Sequence, residues 1–145
     1  MLQDICRGVV THIAGVFDGT PQTPAYVQNC RHNVVNFVHF PMQTVIFMGS
    51  SRDDLRAFPE MARRLMGRQI LRLQYGLEPD DWKPMKTVGA GVREVRVRAG
   101  GQFRAFYVTH VGNAIYILHA FQKKTQRTSP RDIALGQQRF RQIGG

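Results

Sequence analysis

The 145-residue sequence has no apolar run of about 18 residues or more, so no membrane-spanning helix is expected. Nor does its start have the basic, apolar and small-residue order of a secretory signal. The stretch from Ile5 to Phe17 is broken by Arg7, His12 and several glycines, and a cytoplasmic protein without a membrane partner is expected. Cysteine is scarce: Cys6 and Cys30, with no CxxC, read as free thiols rather than a disulfide or metal site. Beyond residue 43 the only histidines are His110 and His119, without HExxH or similar spacing, so no metal is expected. No P-loop or dinucleotide glycine pattern is present, and Gly89-Ala90-Gly91 reads as a hairpin entry. No cofactor is expected, and no Ser/His/Asp arrangement is evident.

Acidic residues are also few. Ten Asp and Glu stand against 20 Lys and Arg, a formal net charge of +10. The imbalance is local. Residues 1–41 hold Arg7 and Arg31 against Asp4 and Asp18, so the whole excess lies beyond them. A basic surface on a small domain suits nucleic acid, an anionic membrane or an acidic protein, although solubility alone also accounts for many such surfaces.

The length allows one domain of ordinary size. Residues 1–43 carry the turn signals Asp18-Gly19-Thr20-Pro21 and Thr23-Pro24 and no sustained period, apart from a short candidate strand at Val34 to Phe40. They are expected to be an N-terminal extension, either an appendage or the product of an upstream start codon. A compact domain over residues 44–145 should begin with the strand Thr44 to Met48. Ser51, three residues before Asp54, resembles a capping box that opens a short helix to Phe58. A second helix follows Pro59 and ends at Gly76, its apolar face built from Met61, Leu65, Ile70 and Leu73, flanked by Met66 and Leu71. Arg63, Arg64, Arg68 and Arg72 lie mostly opposite and read as a solvated row.

Residues 77–87 read as a loop with Trp82 as a packing anchor. Three strands then follow, near Val92–Arg98, Phe103–His110 and Ala114–Phe121, joined at Gly100-Gly101 and Gly112-Asn113. Ser129-Pro130 opens a last helix. The order implies an α+β domain with a small, mainly antiparallel sheet.

Alternation along these strands sorts the charges. Val95 and Val97 should face the helices, which leaves Glu94, Arg96 and Arg98 on the open side. Arg104 shares a face with Phe106 and Val108, and Lys123, Lys124 and Arg127 arrive at the end of the last strand. Pairing with Glu94 satisfies one arginine. The remaining cations need an external anion, and phosphate suits the arginine fork.

The segments Phe47-Met48-Gly49-Ser50-Ser51, LRAFPE, EPDDWKPMK, GAGVREVRVR, FRAFYV and above all IYILHAFQKKTQRTSPRDI resemble the RelE/ParE toxin superfamily. The likeness is greatest to its phage-derived, HigB-type branch and covers about residues 44–142 in the right order. HAFQKKTQ together with DDWKPMK is its most specific part, and the extension has no counterpart in the pattern. The resemblance implies a RelE-like fold and the toxin of a type II toxin–antitoxin pair, held silent by a cognate antitoxin, expected to be a helix-turn-helix protein. RelE and HigB relatives cleave mRNA on the ribosome without a metal. The ribose 2′-OH attacks the adjacent phosphate, which requires cations for the phosphorane charge, a base and an acid. The positions that match the catalytic cations are Arg96, Arg104 and Lys124, with Lys123 adjacent. By the same likeness Arg104 and Lys124 would stabilise the transition state and Arg96 would hold the phosphate. Lys83, Lys86, Arg93, Arg98 and Arg127 are the expected RNA-binding cations.

The sequence departs from the pattern in three places. Glu94 stands where RelE proper has a lysine. Residues 125–131 hold no counterpart of the RelE tyrosine. Of the HigB histidines only His119 is available, and alternation sets it opposite the face of Lys124. Arginine stays protonated, so the base is Lys123, Lys124, His119 or a ribosomal group; a lysine among cations has the lowered pKa that suits a base. Two other readings use the same scaffold: a non-enzymatic ParE-like toxin that binds DNA gyrase, and an inactive phage-derived protein that only binds nucleic acid.

Overall fold

A computed structural model of the protein describes residues 42–143. The N-terminal extension, both cysteines and the candidate strand at Val34 to Phe40 lie outside the described residues. Eight elements follow in chain order: β1 (Thr44–Phe47), α1 (Ser51–Arg56), α2 (Glu60–Gln74), β2 (Trp82–Pro84), β3 (Arg93–Arg98), β4 (Gln102–Val111), β5 (Ala114–Lys123) and α3 (Pro130–Arg141). No helix among the described residues is long and apolar enough to cross a membrane.

The strands form one sheet in the order β1-β5-β4-β3-β2. This corrects two sequence expectations. The sheet is mixed rather than antiparallel in character, because β1 runs parallel to β5, with Val45 opposite Ile115. The chain crosses from β1 through α1 and α2, and such a helical crossover is what a parallel pair requires. The sheet also has a fifth strand. Trp82–Pro84 pairs antiparallel with β3, Lys83 opposite Glu94, in a stretch whose proline and acids resemble a loop. Proline is tolerated there because β2 is an edge strand.

One sheet face is covered by α1 and α2. Leu55, Phe58, Ala62, Met66, Ile70 and Leu73 meet Val95, Val97, Phe103, Ala105, Tyr107, Ile115 and Ile117 in the main core. Met61, expected on this face, is exposed; Ala62 takes the core position. Ile70 and Leu73 lie in the core as expected, and only in the first turns does the stripe move by one residue, to Ala62 and Met66. Helix α2 stops in a Schellman motif, Leu77 N–H donating to Arg72 O and Gly76 N–H to Leu73 O, both at 2.9 Å. Gly76 adopts the left-handed φ of 73° that this cap needs.

The Ser51 capping box does not form. Ser50 is the N-cap residue, and Ser51, fully buried, donates its Oγ–H to the Ile117 carbonyl at 2.9 Å. The hydroxyl ties α1 to β5. The second capping site behaves as expected: Asp132 N–H donates to Ser129 Oγ at 3.1 Å, with Pro130 in the first turn.

The other sheet face carries a smaller core of Met85, Val88, Val92, Phe106, Val108, Leu118 and Phe121, capped by Ile133, Phe140 and Ile143 of and beyond α3. Helix α3 covers only part of this face, and the rest is where charges collect.

Leu55 joins α1 to the main core at 0 % exposure. Leu55→Ala should cost about 2–5 kcal/mol of stability, measured from urea unfolding; a loss under about 1 kcal/mol would show that α1 is not part of the cooperative core.

Candidate phosphate-binding site

The register across the partly open face sets the site. Lys83, Glu94, Phe106 and His119 form one cross-strand row. Arg96, Arg104 and Phe121 form the next, and Arg98, Gln102 and Lys123 the third. Two arginines directly opposite one another would repel, so a counter-charge is required between them.

Glu94 provides it. Its side chain is 0 % exposed, and Oε1 lies 3.4 Å from Arg104 Nε, 3.5 Å from Arg96 Nε and 3.9 Å from Lys83 Nζ. Asp81 adds a contact at 3.5 Å to Arg96 Nη1. These are ion pairs without hydrogen bonds. Neither Glu94 oxygen accepts one, and Arg96 Nε, Arg104 Nε and Arg104 Nη1 donate none. Only Arg104 Nη2 is engaged, donating to Gln102 Oε1 at 2.7 Å. A guanidinium–carboxylate hydrogen bond closes to about 2.7–2.9 Å, so these buried nitrogens face Glu94 as charges rather than as hydrogen-bond donors. Arg104 is 5 % exposed. Burial lowers its pKa, Glu94 opposes that, and Arg96 adds to the lowering.

Lys123 closes the third row. Burial, then the neighbouring Arg104, holds its pKa below the ordinary lysine value, against an opposing pull from Glu94. Lys124, expected beside Lys123 as a catalytic lysine, lies one residue beyond β5 and is exposed. Strand parity explains the difference: residues 119, 121 and 123 share the face of Arg104, and residue 124 falls outside the strand.

A bulge precedes His119. The pairing skips from Phe106–His119 to Tyr107–Ile117, leaving Leu118 unpaired. His119 therefore shares the face of Arg104 and Lys123, and from there to the strand end the parity is regular, so it keeps the parity opposite to Lys124 that alternation gives. It is nevertheless withdrawn from the charges, stacked on Phe121 at 5.2 Å and 7 % exposed. His119 Nε2 and Asp132 Oδ1 are 2.8 Å apart, and Nδ1 lies 3.6 Å from Asp54 Oδ2. The ring joins α3 to α1 across β5. Arg139 strengthens this joint, donating from Nη1 to the Leu118 carbonyl and from Nη2 to Ser50 Oγ, each at 2.8 Å. The two carboxylates sit at opposite ring nitrogens. Among the described residues no three His, Cys, Asp or Glu side chains are gathered to hold a metal ion.

The remaining expected RNA contacts divide. Lys83 and Lys123, with Lys86 and Arg127, line a groove of about 530 Å³ beside the arginine row. Arg98 is exposed on the third row and acts on Arg104 through its charge. Arg93 belongs elsewhere. It stands over the Trp82 ring at 4.2 Å and pairs with Glu78 at 3.0 Å, and its strand parity places it on the α2 face. Trp82 donates its Nε1–H to Glu78 at 3.1 Å, so it anchors the edge strand.

The family model described as phage derived protein Gp49-like (DUF891) matches residues 53–141. The chain belongs to that family. The Gp49-like family falls within the RelE/ParE-like toxin superfamily, which is consistent with a toxin-like protein. The match runs from α1 through α3 and contains the whole charged face, including Glu94. No curated protein matches the sequence.

Sequence reading anticipated that Glu94 pairs with an arginine, but not that it is buried among three cations. The role of Lys83 depended on β2, and the joint between His119, Asp132 and Arg139 on the bulge; neither has a local sequence signal. Glu94→Gln leaves the cations without their buried counter-ion and should cost about 3–5 kcal/mol in urea unfolding at low ionic strength. Added salt should narrow the difference by screening the exposed cations. An unchanged unfolding curve would mean that the carboxylate does not hold the row together.

Proposed function

We propose that this Gp49-like protein is the toxin of a type II toxin–antitoxin pair and a metal-independent, ribosome-dependent mRNA endoribonuclease. The observation that supports this reading is the Arg96–Arg104 pair with Lys123, whose guanidinium groups are held by Glu94 but not neutralised by it. A phosphate above this row meets the partly exposed Arg96 side chain, and the buried Arg104 adds its charge from beneath. Such cations bind most strongly when the phosphorus becomes pentacoordinate and its oxygens gain charge.

In this mechanism the ribose 2′-OH attacks the adjacent phosphorus, and neutral Lys123 accepts the hydroxyl proton. The bond to the 5′ oxygen breaks, and that oxygen takes a proton from water, leaving a cyclic phosphate and a 5′-OH. Lys123 occupies the place that the family resemblance gives to Lys124, which is left to add field at the strand end. His119 acts at a distance as a structural joint behind Phe121. The antitoxin partner, expected to be a helix-turn-helix protein, keeps the activity silent.

Induction without antitoxin, followed by mapping of RNA 5′ ends, tests the reading: new 5′-OH ends should be confined to translated frames. Arg104→Lys keeps the charge beside Glu94 but loses the fork, and should reduce cleavage about 10²–10³-fold with the fold retained. Growth arrest with intact mRNA would instead favour a gyrase-binding toxin. Nucleic-acid binding without arrest or cleavage would leave an inactive relative.

Cleavage should also depend on pH in a defined direction. The base must be neutral, so the rate rises with pH as Lys123 loses its proton, in a range below that of an ordinary lysine. Lys123→Arg stays protonated and should flatten this limb. A limb unchanged in Lys123→Arg would place the base on another group.

A further inference from the structure

Apart from Lys123, the groove beside the arginine row is lined by residues that the cleavage chemistry does not use. It lies between the β2 region and the segment that joins β5 to α3, with a volume of about 530 Å³, within the range of small-molecule sites. Four cations line it, Lys83, Lys86, Lys123 and Arg127, and no carboxylate does. Lys86, Lys123 and Arg127 have no acidic partner among the described residues, and Lys83 has only the distant Glu94 at 3.9 Å.

The floor is apolar. Pro84, Met85 and Ile133 line it beside the cations, with Met85 continuing into the small core. Gln126 and Thr128 add side-chain donors and acceptors at the rim. A flat ring can rest on this floor, its edge toward Gln126 and Thr128, while a phosphate is held by Lys83, Lys86 and Arg127. An acidic peptide has no use for the apolar floor. Because Lys83 and Lys123 border both the groove and the arginine row, a ligand in one is continuous with a ligand in the other.

We propose that this groove is a mononucleotide subsite, which holds the base and outer phosphate of the nucleotide next to the phosphate bound at Arg96 and Arg104. This rests on the ribonuclease reading for its biological substrate, but nucleotide binding itself does not require cleavage. Gln126 then contributes base preference, and Lys86 and Arg127 contribute affinity that is independent of sequence.

The test titrates the full chain with adenosine 3′,5′-bisphosphate and with inorganic phosphate, followed by backbone amide NMR shifts. The bisphosphate should bind about tenfold more tightly and move amides of residues 85–87 and 126–128. In Lys86→Ala/Arg127→Ala, both exposed positions, that tenfold advantage should be lost while inorganic phosphate still moves the amides of Arg96 and Arg104. Gln126→Ala should change the ranking of adenosine, guanosine, cytidine and uridine bisphosphates. Equal binding of bisphosphate and phosphate, or an unaffected double variant, would overturn the subsite. So would a Glu-rich peptide that moves the same amides as tightly, because the groove would then fit an acidic protein partner. If the wild type binds nucleotide as described but cleaves no mRNA, the ribonuclease reading fails and the subsite stands. If cleavage occurs and the double variant binds normally, the subsite fails and the ribonuclease reading stands.

Discussion

The buried carboxylate of Glu94 is the constraint on which the charged face depends. Moving an ion out of water costs several kcal/mol, and only close opposite charge offsets that cost. At separations near 4 Å and an effective dielectric of about 20, each ion pair contributes about 4 kcal/mol of Coulomb attraction, and Glu94 has three such neighbours. The same arithmetic applies with opposite sign between Arg96 and Arg104. One acid among several cations therefore holds them together without neutralising them. What results is a preorganised positive site held together from beneath by one buried carboxylate.

Its location follows from how the second sheet face is shared. Helix α3 packs on the half near Phe106, Val108 and Leu118, and is fixed there by the polar joint of Asp132, His119 and Arg139. Arg139 is itself buried at 7 % exposure, and its contact with the Leu118 carbonyl satisfies a residue that the bulge leaves unpaired. Helix α3 is thereby kept on its own half of the face. The other half stays accessible to a phosphate, and the segment that leads into α3 forms one wall of the groove. Packing, capping and the putting aside of His119 are thus one arrangement.

Much of this was legible beforehand, and for definite reasons. Alternation at Val95 and Val97 against Glu94, Arg96 and Arg98 identified the open face, because strand parity is strict over six residues. The turns at Gly100-Gly101 and Gly112-Asn113 fixed the meander, since their backbone geometry favours glycine; Gly100 and Gly112 have φ of 66° and 63°. Legibility failed where parity was interrupted or where a partner strand created the structure. The bulge at Leu118 separates the parity of Ile115 and Ile117 from that of His119, Phe121 and Lys123, so the face of the strand end could not be read from its beginning. Strand β2 has only three residues and exists through its pairing with β3, so its lysine could not be assigned to the row. Arg93 was grouped with RNA contacts by charge alone, whereas Trp82 and Glu78 claim it on the other face.

From local pattern the sequence determined an α+β chain with a meander, helix ends at Gly76 and Ser129, and an excess of cations over acids on one side. Those properties depend on neighbours within a few residues, where sterics and side-chain period act directly. Tertiary structure alone decided that β1 lies parallel to β5, that Lys123 rather than Lys124 joins the arginine row, and that Glu94 is its buried centre. Each of these depends on register between strands far apart in the chain. A shift of one residue there exchanges the faces of every side chain, and no local preference encodes that choice.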